Sequence, residues 1–175
     1  MPSWPIHNKW AEGLEIGVKE SNFVNQLIDF PRKHKEFQNF CSKTASAQIK
    51  GHKMNIGQFV LHDAARSDKH AREIQLQFLS TYGDKFKEAF FLHQILDYIV
   101  WWISPDQANA GFKPEEALQS KHIAKKIGTP TDPQLQKTVE YVKNHINDIA
   151  NDCKKWHARS ILAHQNPHEC LETEK

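Results

Sequence analysis

Cysteine, glycine and arginine are scarce in this chain, and long apolar runs are missing; each shortage removes a class of protein. Cys41, Cys153 and Cys170 form an odd, scattered set. They have neither the pairing of a disulfide framework nor the spacing of a zinc or dithiol site, so a reducing cytoplasm is the expected compartment. The seven glycines make no phosphate-cradling loop. No apolar stretch approaches the roughly 20 residues of a membrane helix, so no membrane association is expected. Met1-Pro2-Ser3-Trp4-Pro5 lacks the basic and apolar regions of a secretory signal. Charge of one sign is also missing: the net charge is +2, with only four arginines. That balance permits nucleic acid as a partner without demanding it. There is no internal repeat, low-complexity tract or Ser-His-Asp arrangement.

What is present suits one soluble domain. Of the 175 residues 39% are hydrophobic, with ten Phe and five Trp, while 25% are charged and the mean hydropathy is −0.68. A chain of this length can bury a real core. The spacing of its apolar residues predicts an all-α, single-domain bundle of five to seven helices with a long C-terminal helix. Residues 1–20 read as an N-terminal arm, in which Trp4 and Trp10 pack on the body or on a second copy, or else fray. Residues 21–167 read as the helical domain and 168–175 as a short acidic tail.

Along the chain, Ser21 is positioned to cap a helix bearing Phe23, Val24, Leu27 and Ile28, which Pro31 interrupts, and Phe37 and Phe40 resume the pattern. Ser42 to Gly57 is polar and reads as a loop or weak helix, after which Ile56, Phe59 and Val60 begin another turn. His70 to Leu79 predicts a helix that Gly83 ends, with Asp84 as the next N-cap. Lys85 to Ile103 is apolar around most of its circumference, as expected of a helix at the centre of a bundle or covered by a subunit. His93 and Asp97, four apart within it, read as a buried polar pair or as a satisfied core histidine beside a carboxylate. A turn-rich break follows from Ser104 to Gly111. Pro114 opens a short helix that Gly128 closes, and its end carries Lys125-Lys126, a solvated helix end or an RNA contact. Asp132 and Pro133 then supply a cap and first position for a helix running to about Gln165. Its seam is Leu135, Val139, Val142, Ile146, Ile149, Cys153, Trp156, Ser160 and Ala163.

Histidine is plentiful, at eleven residues, and allows two metal readings. Leu61-His62-Asp63-Ala64-Ala65 resembles the His-Asp pair of helical HD phosphohydrolases, with His34 before it and Asp97 after it as further ligands of a water-activating divalent metal. Ala65-Arg66 stands where that family often has glycine and lysine. His157, His164 and His168 also have spacing compatible with a three-histidine site.

The stretch Lys154-Lys155-Trp156-His157-Ala158-Arg159-Ser160-Ile161-Leu162-Ala163-His164-Gln165-Asn166-Pro167 carries the chemistry that best fits a function. On a helix, the five-residue advance from Arg159 to His164 turns about 140°. The pair thus flanks a shallow groove, with Trp156 and the small Ala163 between. A histidine exchanges protons near neutrality, and an arginine offers phosphate a planar charged fork. The bland alternative is two ordinary polar residues at a helix C-terminus, with His164 favoured by the helix dipole.

This stretch resembles the R-x4-6-H signature of the HEPN superfamily of helical ribonucleases and RNA-binding proteins, and most of all its abortive-infection branch. The likeness extends back weakly over residues 85–168. Position 160 departs from the pattern, with Ser160 where Asn, Asp or His is frequent. The resemblance implies a homodimeric, metal-independent endoribonuclease without cofactors. Its two motif helices would bring both copies of Arg159 and His164 to one RNA cleft. Lys155, Ser160 and Asn166 would assist RNA binding, and an antitoxin or other regulatory protein would restrain the activity. A non-catalytic module that binds RNA or protein through the same surface is the alternative.

Overall fold

A computed structural model describes residues 4–42, 46–49, 52–55, 69–102, 118 and 131–165. Its described part is a helical bundle with one small hairpin. In order, the elements are α1 (Trp4–Glu12), α2 (Val18–Asp29), a 3-10 turn (Pro31–Lys33), α3 (Lys35–Ser42), β1 (Ser46–Ile49), β2 (His52–Asn55), α4 (Lys69–Ser80), α5 (Asp84–Trp102), α6 (Pro133–Asn144) and α7 (Ile146–Gln165).

Helix α5 is the axis of the bundle, packed by α1, α2, α4, α6 and α7. The all-round apolar character of its sequence explains this. Phe90, Phe91, Leu92, Ile95, Leu96 and Ile99 are all buried, so the helix is enclosed around most of its circumference. Its entry is sharp because Gly83, at φ 115°, takes a backbone conformation that glycine adopts without a Cβ clash. Residues 4–12, read from sequence as part of an arm, form a helix within the body, where His7, Trp10 and Ala11 are buried.

The expected cap and first turn of α6 are present. Asp132 Oδ1 accepts from the Gln134 N–H at 2.9 Å and Pro133 takes the first helical position. Lys87 also pairs with Asp132 at 2.6 Å, fixing this start against α5. The apolar seam is realised through Leu135, Val142, Ile146, Ile149 and Cys153, all buried, with Val139 and Trp156 partly so.

Three local readings change. The single long C-terminal helix is two, broken at His145 (φ −120°, ψ 14°). There the backbone N–H donates to Val142 O at 3.2 Å, and the imidazole Nδ1 takes the Tyr141 carbonyl at 2.9 Å in its place. A side chain thereby competes with the helical ladder. Helix α2 starts at Val18 with the extended Gly17 before it, so Ser21 lies inside the helix and is buried rather than capping it. Within the polar stretch 42–57, β1 and β2 pair antiparallel, Ala47 with Met54 and Ile49 with His52. Apolar Ala47, Ile49 and Met54 alternate with polar neighbours in these segments, a strand period rather than a helical one.

The turn expected at Ile56, Phe59 and Val60, the break from Ser104 to Gly111, the short helix between Pro114 and Gly128, the stop at Asn166-Pro167 and the tail 168–175 lie outside the described residues. No helix among the described residues is long and apolar enough to cross a membrane.

Candidate functional site

Helix α7 positions the sequence-predicted residues. It is helical without interruption from Ile146 to Gln165, so Arg159, Ser160 and His164 share one helix. Arg159 and His164 are then about 7.5 Å apart along its axis. The turns before them are held in the core by Ile146, Ile149, Ala150 and Cys153, and Lys154 and Lys155 are exposed. Lys155 and Arg159 are four positions, about one helical turn, apart on this helix. Asn166 lies outside the described residues.

A second constellation sits inside the bundle. His7 from α1, Asn25 and Asp29 from α2, and His93 and Asp97 from α5 converge where these helices meet. Their burial begins with periodicity: Ser21, Asn25 and Asp29 repeat every four residues on the buried face of α2, as do His93 and Asp97 on α5. His7 stands between Trp4 and Ala11 in steps of three and four, on the inward side of α1.

The hydrogen bonds fix how these groups point. Asn8 Nδ2 donates to Asn22 Oδ1 at 2.9 Å, and Asn25 Nδ2 donates to Asn8 Oδ1 at 3.4 Å. Asn25 therefore turns its oxygen inward, 3.2 Å from His7 Nδ1 and 2.8 Å from His93 Nδ1. That oxygen only accepts, so both histidines carry a proton on Nδ1. In the neutral rings the Nε2 atoms then hold lone pairs.

The Nε2 atoms face carboxylates. His7 Nε2 is 3.6 Å from Asp97 Oδ1, while His93 Nε2 is 3.4 Å from Asp97 Oδ2 and 3.8 Å from Asp29 Oδ1. The Trp4 indole N–H donates to the other Asp29 oxygen at 2.8 Å and holds that carboxylate in place. His7 Nε2, His93 Nε2, Asp29 Oδ1 and Asp97 Oδ1 are buried and receive no hydrogen bond from the protein. Burial, and secondarily the neighbouring His93, pushes the His7 pKa down and keeps its ring neutral. Burial alone would raise the Asp97 carboxyl, but His7 and His93 outweigh it and hold Asp97 below the usual carboxylate range. The cluster thus brings two imidazoles and two carboxyl groups together.

Among the described residues, His7, His93 and Asp97 are the group whose metal-binding atoms all lie close together, within 4.8 Å. The expected pairing of His93 with Asp97 is present, and His7, Asn25 and Asp29 join it. The HD-type set is not assembled in this group. Asp97 turns to His7 and His93, while His34 is buried beside Phe23 and Phe78 and accepts from the Phe37 N–H at 3.3 Å. His62, Asp63 and His168 lie outside the described residues.

Comparisons with protein-family models, curated proteins and solved structures gave no match.

Proposed function

We propose that the protein is a metal-independent, HEPN-like endoribonuclease acting as a homodimer. The observation that carries this reading is the placement of Arg159 and His164 on one continuous helix whose preceding turns are clamped in the core. A helix fixed in this way holds two polar residues at a set separation, which catalytic groups require. The exposed Lys154 and Lys155 just before them add positive charge where an RNA backbone would lie.

In the reaction, the RNA 2′-hydroxyl attacks the adjacent phosphorus and the P–O5′ bond breaks. His164 moves the proton, and Arg159 stabilises the charge that grows on the phosphoryl oxygens. The products are a 2′,3′-cyclic phosphate and a 5′-hydroxyl, so water, redox equivalents and added metal are not consumed. Lys155, Ser160 and Asn166 contact the RNA. A toxin or phage-defence effector restrained by a protein regulator is the physiological setting of this proposal.

The test is cleavage of a mixed RNA pool without added metal by the wild type, Arg159→Ala and His164→Ala, with analysis of the product ends. Loss of cleavage in both variants together with cyclic phosphate ends supports the assignment. Activity that survives both substitutions removes this site, and binding without cleavage by a folded dimer favours a non-catalytic RNA-binding module.

A further inference from the structure

The buried pocket contains an imbalance that protein hydrogen bonds do not resolve. Four polar atoms, His7 Nε2, His93 Nε2, Asp97 Oδ1 and Asp29 Oδ1, are buried without a hydrogen-bond partner. The Nδ1 protons of both histidines are committed to Asn25. Among the described residues, neither carboxylate has a lysine or arginine partner within ion-pair distance. Unpaired carboxylates are among the most expensive groups to bury. A cation among them would neutralise that charge.

From this arrangement we propose that His7, His93 and Asp97 form a structural site for one divalent transition-metal ion of the zinc class, with the Asp29 carboxylate beside it. The geometry suits such an ion. Ligands bound at about 2.0–2.2 Å in a tetrahedron lie roughly 3.4 Å from one another. The closest approaches here are 3.4 Å for His93 to Asp97 and 3.6 Å for His7 to Asp97, and one ligand atom from each of the three lies within 4.8 Å of the others, so side-chain rotations would bring them onto one ion. Two imidazoles select zinc, cobalt or nickel over magnesium and calcium, which prefer oxygen alone. Asn25 supplies the outer shell: by accepting from both Nδ1–H groups it aims both Nε2 atoms at one point. Trp4 holds the adjacent Asp29 carboxylate, whose other oxygen is 3.8 Å from His93 Nε2.

The ligands come from α1 and α5, so the ion fastens the N-terminal helix to the axis of the bundle. No part of the ribonuclease chemistry proposed for α7 passes through it.

The experiment uses the full chain, stripped with a chelator and titrated with Co2+ and Zn2+. One equivalent is expected to bind. Cobalt should give the intense visible bands of a tetrahedral site, and zinc should raise the thermal midpoint in a concentration-dependent way. His7→Gln and Asp97→Asn should abolish the stoichiometric site. Asn25→Ala, which removes no ligand, should weaken binding about tenfold to a hundredfold. Should the ligand variants fail to fold, the wild-type titration and Asn25→Ala still decide. The proposal is overturned if folded wild type binds less than a stoichiometric amount, if the midpoint ignores zinc, or if binding persists undiminished in His7→Gln.

Discussion

His7 and His93 lie with ring centroids 4.1 Å apart and direct their Nδ1 atoms at one oxygen, that of Asn25. A single amide thereby sets the tautomer of two rings on different helices, and it joins α1, α2 and α5 at a point where all three have polar residues inside. Replacing Asn25 with leucine leaves two buried N–H donors unpaired. Each costs about 1–3 kcal/mol. Urea unfolding of the metal-free protein should lose roughly 2–6 kcal/mol, whereas substituting the exposed Asn39 should change stability little.

A pH dependence follows from His34. Burial pushes its pKa down against the opposing pull of Glu36. Its Nδ1 accepts from the Phe37 N–H and so caps the first turn of α3. Below the ordinary histidine pKa of about 6.5 the unfolded chain takes a proton that the folded one resists, so stability falls as pH drops through and below that value. Protonation would also destroy the cap. His34→Asn, which retains an acceptor there, should flatten the plot of unfolding free energy between pH 7 and pH 5; an unchanged slope would assign the dependence to other groups.

Cys41 and Cys153 are buried in the core, and burial pushes their thiols up to about 11 and about 12. Only the thiolate alkylates at a useful rate. In native protein at pH 8, mass spectrometry after iodoacetamide should find both unmodified, with labelling appearing as denaturant opens the fold. Rapid labelling of either in folded protein would contradict the burial.

Lys155 contributes charge without chemistry in the proposed ribonuclease. Lys155→Ala should weaken RNA binding similarly across sequences and lower the salt dependence of the affinity by about one counterion, with the slope of log affinity against log salt changing by roughly 0.7 for single strands. Cleavage rate at saturating RNA should stay close to wild type. A collapse of that rate instead would place Lys155 at the reacting phosphate.

What the sequence discloses follows period and proximity along the chain. The seam from Leu135 to Cys153 and the buried character of α5 are legible because apolar residues recur at helical intervals. His93 and Asp97 are legible as a pair because four residues make one helical step. The break at His145 has no glycine or proline to announce it, since it arises when an imidazole competes for Tyr141 O. The joining of His7 to His93 depends on which helices pack together, and no local pattern encodes that. A partial signal did exist: Ser21, Asn25 and Asp29 are polar at strict intervals of four within the face that also contains Val24 and Leu27. Repeated polar positions on an apolar face mark a buried network rather than a solvent edge. For α7, the motif is local and therefore visible, whereas the cleft attributed to it depends on a second copy.

The bundle also links its outermost helices in sequence. α1 packs against α7 as well as α5, Lys9 reaches Asp152 at 2.6 Å, and Trp10 meets Tyr141 and His145 edge-on or tilted. During synthesis, then, the earliest of these helices emerges from the ribosome long before its final partners exist. Its Trp10 must wait, exposed to solvent or to chaperones, until α7 has been translated, so completion of this bundle is a late event.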